Sequence, residues 1–166
     1  MRRFNFSARS ILLFSAIVLL ISSCSKDDTV NPDYVGTWSV DISESGLQLK
    51  DNLTFTKDGF TDIKQVNNPT TNIWVDYIKT TGTIAVAGST MTTTYTGIGI
   101  LTDFTVSITM YSAGSSNFQS LMSDKGMPLT LNSQFSVAGN KLTIMKDMNS
   151  NGNYTDPGET TVYTKQ

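Results

Sequence analysis

From Tyr34 onward the chain shows no sustained helical period. Apolar and polar positions instead alternate by two, and Thr, Val, Ile, Phe and Tyr are enriched, as pleated surfaces prefer. Leu53 and Phe55 alternate with Thr54 and Thr56. Asp58-Gly59 then separates that run from Phe60-Thr61-Asp62-Ile63, which predicts a hairpin. Ile84-Ala85-Val86 runs through Ala87-Gly88-Ser89 into Met91 to Tyr95. Phe135-Ser136-Val137 runs through Ala138-Gly139-Asn140 into Leu142-Thr143-Ile144, so two similar Val-Ala-Gly turns predict two further hairpins. Phe104, Val106, Ile108 and Met110 present one apolar face of a strand, and Trp38-Val40-Ile42, Ile73-Val75-Tyr77 and Thr161-Val162-Tyr163 supply the rest. The expectation is an all-β fold of about eight antiparallel strands meandering into a closed barrel, because closure leaves no strand edge unpaired. Ser112 to Leu131 is the least strand-like stretch and is expected to hold a long loop or a short helix around Phe118 to Met122.

The start of the chain follows a different pattern. Arg2, Arg3 and Arg9 precede the apolar run Ile11 to Ile21, which is shorter than the roughly 20 residues that span a bilayer. This is the layout of a signal peptide. Ile21-Ser22-Ser23-Cys24 resembles the bacterial lipobox, in which cleavage leaves a diacylated Cys at the new N-terminus. The resemblance implies a signal peptide over 1–23, lipidation of Cys24 by palmitate-type chains, and a membrane partner through that anchor. Ser25-Lys26-Asp27-Asp28 is similar to the short Lys-acid-acid tag of Bacteroidetes lipoproteins that are sent to the outer face of the outer membrane; a solvated tether over 24–33 is the other reading. The expected location is the outer membrane, with exposure at the cell surface one of two outcomes.

Composition narrows the chemistry. The 166 residues include no His and one Cys. Ser-His-Asp hydrolysis, Cys-His proteolysis and His-rich zinc sites are therefore excluded, and the barrel is expected not to be an enzyme. The three arginines all fall within 1–23, so of 12 basic residues nine remain against 14 acids, and the net charge moves from −2 to −5. Nucleic acid is not an expected partner of so acidic a domain. The acids Asp41, Glu44, Asp58, Asp62, Asp76 and Asp103 read as solvated strand faces, and no spacing singles out a carboxylate pair for glycoside hydrolysis. Trp74, Tyr77 and Tyr95 form an aromatic group that core or rim packing explains better than sugar stacking.

One segment matches a metal loop in part. Asp147, Asn149, Asn151, Asp156 and Glu159, with Gly152 after the first three, resemble the calcium pattern D-x-[DN]-x-[DN]-G, in which alternate oxygens converge on a hard cation. With Asp147 as position one, position twelve is Gly158, and Glu159 comes one place late. A polar hairpin loop built on Asx turns is the reading that needs no ion. The cofactor expectation is therefore none, with a structural calcium ion as the exception.

Gly36-Thr37-Trp38 opening the first strand, then Leu53-Thr54-Phe55-x-x-Asp58-Gly59-Phe60, the two Val-Ala-Gly hairpins and the closing Val162-Tyr163-Thr164-Lys165 together resemble the lipocalin-like lipoproteins of Bacteroidetes, loosely over 34–166. The resemblance implies a calycin-type barrel domain, monomeric, holding a small apolar ligand. Lipocalins commonly carry an Arg near the end of the last strand, and here Lys165 is expected in its place, its ammonium over the Trp38 indole. The alternative function is a structural or interaction lipoprotein of the cell envelope whose barrel is filled by its own side chains. A continuous cavity above about 300 Å³ separates the two.

Overall fold

A computed structural model describes residues 32–44, 46–101, 108–147 and 151–166. The expected signal segment, Cys24 and residues 25–31 of the expected tether lie outside the described residues. Among the described residues, nine strands and one helix follow in chain order: β1 (Gly36–Glu44), β2 (Leu47–Phe55), β3 (Gly59–Asn68), β4 (Ile73–Ala87), β5 (Thr90–Ile100), β6 (Thr109–Ser112), α1 (Ser116–Asp124), β7 (Thr130–Ala138), β8 (Lys141–Lys146) and β9 (Thr160–Lys165). All pairings are antiparallel. Strands β1 to β5 pair in succession, β5 pairs β7, and β7, β8 and β9 lead back to β1, where Trp38 faces Lys165. Eight strands thus close into a barrel, as the alternation predicts.

Three expected strands are redrawn. Ile73 to Tyr77 and Ile84 to Val86 are not separate strands but parts of the 15-residue β4, which bends at a bulge between Thr81 and Gly82. Gly82 is needed there, because a Cβ would run into the Thr94 carbonyl and the Phe60 ring. The ring of Phe60 meets that of Tyr95 edge-on at 5.5 Å beside this residue. The strand expected from Phe104 to Met110 is present in the described residues only as the short β6, and Phe104 and Val106 lie outside them. β6 is not one of the eight barrel strands. It pairs only with Gly97 to Ile100 of β5, whereas Thr90 to Thr94 of β5 pair with β7.

That division of β5 shapes the open end of the barrel. Above Thr94 the wall leaves β7 and is continued by β6 and α1, so β5 and β7 part. The helix forms where the sequence places one: Ser115 caps it by accepting from the Phe118 N–H at 3.2 Å, and Phe118 and Met122, one turn apart, bury their side chains against Ile98. The other end is closed. Tyr34, Trp38, Phe55, Phe60, Met91, Leu142, Ile144 and Tyr163 fill it, with Phe135 and Val137 packed against them. Tyr34 plugs the base with edge-on contacts to Phe55 at 6.1 Å and Phe135 at 5.7 Å, and its hydroxyl donates to the Lys57 carbonyl at 3.1 Å.

Candidate functional site

Period-two alternation turns Asp51 inward on the same face as Leu53 and Phe55, Asp62 and Lys64 inward with Phe60, and Lys146 inward with Leu142 and Ile144. The register places Asp51 opposite Lys64 and Leu53 opposite Asp62. A charged layer therefore lies inside the barrel directly above its apolar base. Lys64 Nζ stands 2.7 Å from Asp51 Oδ2 and 3.8 Å from Asp62 Oδ2, and the Tyr163 hydroxyl donates to Asp51 Oδ2 at 3.1 Å. Asp51 is only 4% exposed. Asp62, expected on a solvated face, and Asp51, for which the sequence carried no expectation, both sit on the inward faces of their strands, which corrects the solvated-acid expectation for Asp62.

Proximity sets the ionisation of these groups. Burial opposes ionisation of Asp51, but a hydrogen bond from Asp62 and the Lys64 ammonium outweigh it, and Asp51 ionises below the ordinary carboxylate range. Asp62 is pushed up to about 7, by burial first and then by the charge of Asp51 and the shared hydrogen bond, against the pull of Lys64. Asp51 Oδ1 and Asp62 Oδ1 are both buried with no N–H or hydroxyl donor, so a proton held between the carboxyls satisfies what the rest of the layer does not. Burial alone would lower Lys64, but Asp62 and Asp51 together raise it. Lys146 is lowered, by burial first and by the Lys64 charge second, against the opposing pull of Asp62 and Asp51. Tyr95 is pushed up to about 12 and Tyr163 is also raised, both chiefly by burial and then by the nearby carboxylates.

A pH dependence follows with a definite sign. Asp62 ionises near 3.8 in an unfolded chain and near 7 in the fold, so its protonated form contributes stability in full below about pH 4 and that contribution is lost as the pH rises through 7. Asp51 acts oppositely: its contribution is present above 3.8 and is lost as the pH falls through its depressed folded value. The melting midpoint is expected to fall between about pH 4 and pH 7 through this group and to level off above, and Asp62→Asn, which stays neutral, to flatten that slope; a slope unchanged in the variant contradicts the assignment.

Above this layer the barrel is open. A cavity of about 570 Å³ reaches down to Asp62, Lys64 and Lys146, with Tyr95 and Leu131 on its wall and Met127 and Tyr154 near its mouth. A smaller void of about 30 Å³, large enough for a water molecule, lies beneath it between Asp62, Lys146, Ser133 and Tyr163. The interior is thus packed at one end, ionic in the middle and open at the other.

The loop from 147 to 159 borders this mouth through Asp147 and Tyr154. The Asp147 carboxylate accepts the Asn151 N–H at 3.0 Å and the Gly152 N–H at 2.9 Å. Asn151 and Asn153 donate their side-chain amides to Asp156 at 2.8 and 2.6 Å. Glu159 is buried beside the start of β9, its carbonyl accepting the Lys146 N–H. Asn149 lies outside the described residues. Among the described residues no three Asp, Glu, His or Cys side chains gather in reach of one ion.

The opening motif sits at the other end. Lys165 Nζ lies 5.2 Å from the centroid of the Trp38 ring. Gly36, at φ +138°, leaves the room this needs, since a Cβ there would lie 3.2 Å from Lys165 Cε. The aromatic group is dispersed: Tyr95 faces the cavity, whereas Trp74 lies on the outer face, where Lys50 Nζ covers its ring at 4.8 Å. Comparison with protein-family models, curated proteins and solved structures finds no match to this chain.

Proposed function

We propose that this chain is a lipoprotein of the Gram-negative outer membrane, held by acyl chains on Cys24, whose barrel takes up a small molecule with a largely apolar body. The observation that carries the binding reading is the half-filled barrel. Its closed end is packed by aromatic and aliphatic side chains, while its other end holds a cavity of about 570 Å³, within the usual range of small-molecule sites. A barrel serving only as a spacer could close this end with its own side chains, as the other end is closed. The eight-strand closure, with Gly36-x-Trp38 at the start of β1, supports the lipocalin-like reading, and Lys165 stands over Trp38 where an arginine is usual for that family.

Native mass spectrometry of the protein purified from its own host tests the binding reading. A retained mass of a few hundred daltons is expected, and a bare chain from gently extracted material favours the filled-barrel alternative. The anchor is tested separately. Cys24→Ala is expected to move the protein from the membrane to the soluble fraction, because a single residue carries the acyl chains; retention of the variant after a high-salt wash overturns the lipidation assignment.

A further inference from the structure

The ionic layer at the cavity floor is not balanced. Lys64 is held by Asp51 at 2.7 Å, with Asp62 next to it, whereas the Lys146 ammonium has no hydrogen-bond or ion-pair partner among the described residues. Lys146 lines both the large cavity and the small void beneath it, so its charge is withdrawn from bulk water and faces the space that a ligand would fill. A desolvated ammonium with no carboxylate in contact, only the more distant pull of Asp62 and Asp51, is unfavourable, and an uncharged ligand would make it worse by displacing the remaining water. A cationic ligand would be repelled by Lys64 and Lys146 together. The wall above is different in character: Tyr95, Leu131, Met127 and Tyr154 offer apolar and aromatic surface.

Building on the small-molecule reading above, we infer that the cavity is a site for an amphiphilic monocarboxylate, its carboxylate paired with Lys146 at the floor and its apolar body against Tyr95, Leu131 and Met127. One charge is the right number. Lys146 is the single ammonium at the floor that Asp51 does not already hold, and a dianion would meet the Asp62 carboxyl beside it and Asp147 on the wall. The pairing is a point-charge contact and not a bidentate one, since the partner is a lysine.

The test uses the chain from residue 24 with Cys24→Ala, prepared without detergent; all barrel strands and both buried clusters lie within 32–166. Decanoate and decan-1-ol, which share a tail and differ in the head, are titrated calorimetrically at neutral pH. Decanoate is expected to bind at least about tenfold more tightly, as a desolvated charge pair warrants. Lys146→Met should erase that preference while leaving decan-1-ol affinity nearly unchanged, and Lys125→Met, at the mouth, should retain the preference. Should Lys146→Met fail to fold, Lys146→Arg keeps the charge and is expected to keep the preference. Equal affinities for the two probes, or a preference that survives Lys146→Met, overturn the carboxylate assignment and leave small-molecule binding standing. Binding of neither probe overturns both.

Discussion

Asp51→Ala is expected to destabilise the barrel by about 3 kcal/mol, near the low end of the range for removing one partner of a buried ion pair. The low end applies because the Lys64 side chain remains 36% exposed and so keeps some solvation through the cavity, while that of Asp51 is 6% exposed. Three losses coincide in this variant: the 2.7 Å pair with Lys64, the acceptor of the Tyr163 hydroxyl, and the group that shares a proton with Asp62. Asp51→Asn separates them, since it preserves shape and an acceptor for Tyr163 but removes the charge. It is expected to cost less than the Ala variant and to relieve the repulsion that raises Asp62, lowering the pH at which Asp62 ionises. Urea unfolding of the two variants at pH 6, with titration of Asp62 followed by NMR, checks the scheme. A loss below about 0.5 kcal/mol for Asp51→Ala, the scale of a neutral surface change, contradicts the structural role given to this layer.

The charged layer was within reach of the sequence. Leu49, Asp51, Leu53 and Phe55 share one face of β2 at a strict period of two, and Phe60, Asp62 and Lys64 do the same on β3, so an acid or a lysine on an otherwise apolar face was the available signal. Composition does not carry that signal, because it ignores the face each acid occupies. Lys146 continues the inward row of Leu142 and Ile144 in the same way. What the sequence could not supply is that these rows meet, since Asp51 and Tyr163 are 112 residues apart and come together only on closure.

Local signals fared better than distant ones. The turns after Thr56, Ala87 and Ala138 were legible because each depends on two to four adjacent residues. The single long β4 was not, because its continuity through Thr80 depends on β3 and β5 pairing along both sides of it. The same holds for the opening of the barrel. It arises where β5 exchanges β7 for β6, a choice of partner that no local pattern in Thr90 to Ile100 records.

Trp38→Ala is expected to cost about 3 to 5 kcal/mol, the usual range for deleting a fully buried large aromatic side chain. The side chain is 0% exposed, its indole N–H donates to the Tyr34 carbonyl at 2.8 Å, and its ring supports the stem and ammonium of Lys165. Its loss removes apolar contacts at the base, leaves the Tyr34 carbonyl without a donor, and weakens the short seam where β1 pairs β9, in which Trp38 faces Lys165, Ser39 faces Thr164 and the Gln166 N–H donates to the Thr37 carbonyl. Because native domains are stable by roughly 5 to 15 kcal/mol, the variant should lose about a fifth of the total or more and unfold at markedly lower urea. Lys165→Met isolates the charge: it keeps an apolar stem beside Gly36 and should cost at most about 1 kcal/mol, the scale of an exposed cation–π contact. If instead Trp38→Ala and Lys165→Met prove equally mild, the seam between the first and last strands is not what holds the barrel closed, and closure must rest on the layers of side chains above it.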